Sequence, residues 1–389
     1  MSGARRLVVV GGGPAGLAAA RAYRDAGGDG DVTLLTPEPH APYERPPLSK
    51  EFLRAEAEAG ELALEDAAWY AEHDVVVRLA TPAERLDPER RTVAPRGGQP
   101  LDYDACVLAT GSTPLPLPVP GGDHPDVLLL RSLESALGLR RRAEAAERAV
   151  VIGAGFIGCE VAASLAMRGA RVTLVAREAL PQGPRLGEDA GRRIAGWLRA
   201  MGVELVLEAE VEAIAEDGRA VRVDGRLLRG DLVLVGGGVK PNAQLAAEAG
   251  LTVREGRVAT DAGMRASAPG VLAAGDVAFA ENASAGRALA VEHWGEALNM
   301  GEVAGRVAAG VQDARWEVAP GFWSTIGAHT MKYVAWGDGF DTARLEAHDD
   351  GAFTVWYARD GILVGALCHE RDADYERARE LIEAKAPVP

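Results

Sequence analysis

Cysteine is scarce in this chain of 389 residues: only Cys106, Cys159 and Cys368 occur. No two of them fall within CxxC or metal-ligand spacing. That excludes a zinc or iron–sulfur centre built from them, so no metal site is expected, and it leaves no close pair for a redox-active disulfide. Each reads as a small buried apolar residue, and a reducing cytoplasm is the expected compartment. Positive charge is also in short supply. With 42 Lys and Arg against 57 Asp and Glu, the net charge is −15, which argues against nucleic acid and against an anionic membrane surface as partners. Long apolar runs are missing too. No stretch reaches the roughly 18–20 apolar residues of a membrane span. The apolar residues after Arg5-Arg6 run into three glycines and Pro14, which suits a turn better than an export signal.

What the chain does have is glycine, arranged twice in the same way. Gly11-Gly12-Gly13-Pro14-Ala15-Gly16 follows the apolar run Leu7 to Val10, and Gly153-Ala154-Gly155-Phe156-Ile157-Gly158 follows Ala149 to Ile152. Each loop opens a helical pattern and is followed by a strand-like segment, Val32 to Leu35 and Val172 to Val175. A strand–glycine loop–helix–strand unit sets backbone N–H groups and a helix N-terminus against a pyrophosphate. One such loop is a weak signal. Two in one chain point to two dinucleotides held together, whose usual chemical purpose is hydride transfer between them.

Between and after these units the texture changes in stages. Residues 37–50 carry Pro37, Pro39, Pro42, Pro46 and Pro47, a stiff extended loop ending in Arg45 and Lys50. It serves either as a connector or as an arm holding positive charge at a site. Asp104 to Ala109 is an apolar strand, and Pro114 to Pro120 reads as a linker. A long helical pattern spans Glu292 to Ala309. From Pro320 aromatics alternate with polar residues as in antiparallel strands, before a charged helix from Asp372 to Lys385. With 389 residues the chain is too long for one core. The fold expected is α/β, with two Rossmann-like domains, the second inserted in the first, and a C-terminal α+β domain. The boundaries are 1–115 with 241–318, then 116–240, then 319–389.

These motifs together resemble the flavin-dependent ferredoxin reductases of the glutathione-reductase superfamily, in particular the oxygenase-coupled group. The likeness rests on the first glycine loop, Arg45-Pro46-Pro47-Leu48-Ser49-Lys50, Ala109-Thr110-Gly111-Ser112, Gly155-Phe156-Ile157-Gly158-Cys159-Glu160, Ala274-Gly275-Asp276, Glu292-His293-Trp294 and Phe322-Trp323-Ser324. The six-residue string Arg45–Lys50 is the most specific. The resemblance implies FAD on the first unit, held by Gly11, Gly13, Pro14, Ala15 and Gly16. Arg45 would face the pyrophosphate and Asp276 the ribityl hydroxyls, with Ala109, Thr110, Gly111, Glu292, His293, Trp294 and Trp323 around the flavin. The other reading of Asp276 is a helix N-cap; the two roles are compatible, and the strand before Ala274-Gly275-Asp276 favours the flavin role. It implies a nicotinamide dinucleotide on Gly153, Gly155, Phe156, Ile157, Gly158 and Gly238. Lys50 would lie near the reacting edge of the flavin and Glu160 near the nicotinamide. An ion pair between them across the two domains is expected, because a buried unpaired lysine is costly.

The chain departs from the family pattern at several points. Ala176 stands where NADH users tend to carry an acid, and Arg177 follows, a tilt toward NADPH that Glu178 leaves open. Pro37 occupies the acidic position of the first unit, with Glu38 the nearest substitute for the adenosine ribose. Thr325-Ile326-Gly327 replaces the usual continuation after Ser324. The implied activity is NAD(P)H:ferredoxin oxidoreduction, passing electrons singly to a ferredoxin or other small iron–sulfur carrier that feeds an oxygenase. The protein is expected to be a monomer or homodimer. Docking an acidic carrier needs cations, for which Arg45 and the Arg21/Arg24 face are candidates. Two alternatives stand beside this: an NAD(P)H oxidase or quinone reductase, and an apoptosis-inducing-factor-like flavoprotein.

Overall fold

A computed structural model describes residues 6–389, which divide into two compact units. The first runs to Glu44 and adds Ala63–Thr113 and Lys240–Phe322; the second comprises Arg45–Leu62, Pro114–Val239 and Trp323–Pro389.

The first unit is built on a five-stranded parallel sheet. Its order is Val271–Ala273, Ala105–Leu108, Arg6–Val10, Asp31–Leu35 and Val75–Arg78. Buried on both faces, the central strands read as continuous apolar runs such as Leu7 to Val10 and Ala105 to Leu108. The helix Pro14–Asp25 leaves the central strand. Gly13 is its N-cap and Pro14 sets the first turn, where no hydrogen bond is lost to the missing N–H. It packs on the helix Trp294–Ala308, whose Gly301 and Gly305 allow backbone contact: a Cβ at either would stand 2.3 Å from Ala15 O or 2.2 Å from Ala19 O. A four-stranded sheet (Val253–Arg254, Arg257–Thr260, Ala278–Asn282, Arg287–Ala290) completes the late part of this unit.

The second unit repeats the plan. Its parallel sheet runs Glu204–Val206, Arg171–Val175, Arg148–Ile152, Leu232–Val235 and Val127–Leu128. The helix Phe156–Met167 leaves the central strand. Val150, Ile152, Val233 and Val235 share a core with Val221 and Val223 of a three-stranded antiparallel layer. The C-terminal segment forms an antiparallel sheet in the order Gly321–Ile326, His329–Ala335, Ile362–His369, Phe353–Arg359, Thr342–Ala347, covered by the helix Asp372–Glu383.

The α/β class with two dinucleotide-binding sheets and a C-terminal α+β part is the one the sequence indicates. Two segments group differently. Residues 45–62, assigned from sequence to the first domain, belong to the second unit, and so does the chain from Trp323 onward, assigned to a third domain. Among the described residues no helix is long and apolar enough to cross a membrane, and no cluster of His, Cys, Asp and Glu is arranged to hold a metal.

Candidate active site

In the first unit the glycine loop is a close-packed turn with an open mouth. Gly11 has φ +126°, and a Cβ there would lie 2.1 Å from Ala109 O; one at Gly16 would lie 2.0 Å from Gly11 O. These two glycines are therefore fixed by the fold. Gly13 differs: a Cβ there would meet nothing within 4 Å. The open space lies at the start of the helix Pro14–Asp25, where first-turn N–H groups lack intrahelical partners. That concavity suits a pyrophosphate.

Other residues expected for this site are held by partners far along the chain. Ala109 ends the strand that neighbours the central one, and Thr110 and Gly111 follow. Asn242 clamps them: its Nδ2 donates to Thr110 O at 2.9 Å, its N–H to Gly111 O at 2.9 Å, and its main-chain carbonyl accepts from Thr110 Oγ1 at 2.8 Å. Asp276 is buried, and its Oδ2 accepts from Ser112 Oγ at 2.6 Å. It stands in a turn that leads into the strand Ala278–Asn282, so the helix N-cap alternative does not apply. Glu38 accepts from Tyr43 Oη at 2.5 Å. Glu292 forms an ion pair with Arg257, whose Nε also donates to the main-chain carbonyl of Asp276 at 3.2 Å. His293 is the N-cap position before Trp294, and its ring lies 4.4 Å from that of Phe322.

The second glycine loop has the same construction. Gly153 has φ +102°, with a Cβ position 2.5 Å from Gly236 O, and a Cβ at Gly158 would lie 1.9 Å from Gly153 O. Gly155 is the N-cap of the helix Phe156–Met167, and only Gln182 Nε2, at 3.9 Å, approaches its Cβ position. Ile157 is exposed on that helix's first turn. At the end of the strand Arg171–Val175, Ala176 is buried, Arg177 exposed and Glu178 half-buried. Gly238 (φ +96°) accepts from Leu115 N–H at 3.0 Å through its carbonyl.

The most densely bonded charged site in the second unit is the pair Lys50–Glu160. Lys50 closes a short helical turn, Pro46–Ser49, whose prolines fix the backbone. Glu160 lies on the buried face of the helix that begins at the second glycine loop. The two side chains meet at 2.7 Å and are both buried. Each N–H of the ammonium has an acceptor: Glu160 Oε2 at 2.7 Å, Pro46 O at 2.9 Å and Ser49 Oγ at 3.3 Å. The carboxylate receives only donors: Ser49 Oγ at 2.6 Å on the same Oε2, and Ser324 Oγ at 2.7 Å on Oε1. Ser164, one helical turn beyond Glu160, donates to Ser49 O at 2.7 Å and so ties the turn to the helix. The sequence organisation has the pair span two domains; in the division into compact units both residues lie in the second. Arg45 lies in this unit too, donating to Arg131 O at 2.7 Å, and so does Trp323, which is exposed.

Sequence reasoning missed the hydroxyls. Ser49, Ser112 and Ser324 stood in the recognised strings, but nothing local gave them a carboxylate to bind. Of the Arg21/Arg24 face, Arg24 is taken up by structure: it donates to the carbonyls of Gly28, Gly30, His73 and Asp74, whereas Arg21 pairs with Glu65 and stays exposed. All three cysteines are free and buried. Burial pushes the Cys106 and Cys368 thiols up to about 12 and raises that of Cys159 as well. A thiol so raised is inert as a nucleophile or redox relay near neutral pH.

Comparison with known proteins bears on what such a pair of cradles does. Residues 5–301 match the model of the pyridine nucleotide-disulphide oxidoreductase family, and residues 321–389 match that of the reductase C-terminal domain. Rhodocoxin reductase of Rhodococcus erythropolis is 31% identical over 387 residues, covering 98% of this chain and 90% of that protein. The reductase in a covalent putidaredoxin reductase–putidaredoxin complex superposes with a TM-score of 0.92 at 30% identity, covering 99% of this chain and 94% of that one. Apoptosis-inducing factor 3 of Mus musculus is 28% identical over 98% of this chain but only 63% of its own length. This chain belongs to the pyridine nucleotide-disulphide oxidoreductase family and is an NAD(P)H-dependent flavoprotein oxidoreductase, whose cofactors are FAD and a nicotinamide dinucleotide.

Proposed function

We propose that the protein is an NAD(P)H:ferredoxin oxidoreductase that supplies electrons to a small iron–sulfur carrier of an oxygenase system. The observation that carries this reading is the saturated Lys50–Glu160 pair on the helix that starts at the second glycine loop. FAD, when bound, supplies the chemistry: it takes two electrons as a hydride and releases them one at a time. The chain's own residues bind and orient. Gly11, Gly13, Pro14, Ala15 and Gly16 cradle one pyrophosphate, and Gly153, Gly155, Phe156, Ile157 and Gly158 the other. Asp276, oriented by Ser112, accepts hydrogen bonds from cofactor hydroxyls, an arrangement an acceptor-only carboxylate favours. Ala109, Thr110 and Gly111, clamped by Asn242, line the same cofactor, with Glu38 toward its ribose and Glu292, His293 and Trp294 toward its ring. Lys50 provides a fixed positive charge that offsets charge gained on reduction, and Glu160 holds it in place.

The carrier as acceptor is supported by the relatives named for their protein partners, rhodocoxin and putidaredoxin. It is also supported by the thiols, since three buried, unpaired cysteines offer no dithiol for the electrons to pass through. The apoptosis-inducing-factor-like alternative has the weaker backing, because that relative extends well beyond this chain. NADPH is the favoured reductant: the residue after the second strand is a buried alanine, and the exposed Arg177 suits a 2′-phosphate. A cytoplasmic location fits the three unpaired thiols.

Anaerobic stopped-flow mixing with NADH and NADPH, followed by candidate ferredoxins, tests the whole reading. Rapid reduction and then carrier-dependent reoxidation are expected. Steady consumption of reductant in air, unaffected by any carrier, would instead identify an oxidase. Replacing Arg177 by Ala should raise KM for NADPH about tenfold and leave that for NADH within twofold. A kcat/KM that favours NADH in the unaltered protein would remove the case for Arg177.

A further inference from the structure

Glu160 owes its position to more than Lys50. One of its oxygens is shared by Lys50 and Ser49, neighbours in sequence; the other is taken by Ser324, 164 residues away on the strand Gly321–Ile326. Along that strand side chains alternate, so the exposed Trp323 and the buried Ser324 face opposite ways. A serine with only 1% of its surface exposed, donating at 2.7 Å to a carboxylate oxygen that has no other partner among the described residues, is costly to keep in a sheet unless the bond matters. We infer that Ser324 is a positioning residue for the reductive step: its hydroxyl fixes the carboxylate of Glu160 and thereby the ammonium of Lys50. This rests on the role given to the pair under the proposed function and extends it to the C-terminal segment.

The geometry explains why two anchors are needed. A carboxylate gripped at one oxygen can still swing about its Cγ–Cδ bond. Gripped at both, it cannot turn without breaking Ser324 on one side or Ser49 and Lys50 on the other. The ammonium in turn has all three N–H groups engaged. It therefore acts as a charge held in one place, and any looseness in Glu160 passes directly to it.

The test compares Ser324→Ala and Ser324→Thr with Lys50→Met in FAD-loaded protein. Ser324→Ala is expected to retain FAD, to reduce it with a limiting rate about tenfold lower, and to change KM for the nicotinamide cofactor little. The midpoint potential of the bound FAD should fall, because the compensating charge is less firmly held. Ser324→Thr keeps a hydroxyl on a residue suited to a strand and should recover the rate and the potential. If Ser324→Ala matches the unaltered protein in rate and potential while Lys50→Met is slow, the inference about Ser324 is wrong and the role of the pair stands. If Lys50→Met is also unchanged, the role of the pair itself fails. Should the alanine variant not fold, Ser324→Cys, a much weaker donor of similar size, replaces it; equality of the cysteine and threonine variants would then overturn the inference.

Discussion

Lys50 shows how an ionised amine tolerates burial. Its three donors meet three acceptors, and its charge meets an opposite charge whose own lone pairs are occupied by serine hydroxyls. Buried pairs of this kind seldom stabilise a fold relative to apolar residues, because desolvation offsets the attraction. Losing one partner is a different matter. Glu160→Ala leaves the ammonium buried without its carboxylate and should lower stability by about 3–5 kcal/mol in urea titration. The double variant Lys50→Met/Glu160→Leu should regain most of that stability and none of the rate of FAD reduction. Recovery of both would mean that the pair is structural. The resemblance made the pair an expectation, because Lys50 and Glu160 stand in two recognisable strings. Ser324 could not be read in the same way. A serine in an alternating strand carries no mark of what it bonds, and the contact spans 164 residues.

Among the elements, the helix Gly183–Ala200 carries two features that bear on stability. It is interrupted at Gly187 (φ +79°), and the carbonyl of Leu186 released there accepts from the buried Tyr357 hydroxyl at 2.7 Å. Tyr357→Phe should cost about 1–3 kcal/mol, since it leaves a buried carbonyl unpaired; an unchanged unfolding midpoint would mean that water replaces the hydroxyl. Further along, Trp197 stacks on His329 with ring centroids 4.4 Å apart and planes 5° from parallel, and His369 lies 5.0 Å from the same indole. Burial, and next the nearby His369, hold the His329 imidazole below its usual range, while Glu370 works in the other direction. The unfolded chain therefore takes up this proton first. The associated stability is complete above the ordinary histidine value of about 6.5 and is lost as pH falls through the lower folded value. His329→Gln should flatten the fall of the unfolding midpoint just below about pH 6.5, and an identical slope in the variant would assign the effect to other groups. The glycine loops were legible because every residue that defines them lies within six positions. The kink at Gly187 and the histidine stack were not, because each depends on side chains arriving from the C-terminal sheet.

For the molecule as a whole, the free thiols offer a direct check on the electron route. Cys106, Cys159 and Cys368 are all buried, and burial raises the pKa of each. Under native conditions a thiol reagent such as N-ethylmaleimide should label none of them quickly, and reduction by NAD(P)H should continue unaltered; in denaturant all three should react. Fast labelling accompanied by loss of electron transfer would restore a role for a thiol. The sequence alone determined the two phosphate cradles, the α/β class and the lack of a closely spaced cysteine pair, because these depend on local spacing and on what side chains are present. Tertiary structure decided which charges are available. It spent Arg24 on four carbonyls, gave Asp276 a serine from 164 positions away, and locked Glu160 at both oxygens. The reason is physical: a buried polar atom must find a partner, and the partner is whichever donor or acceptor the fold brings within about 3 Å, however distant in the chain.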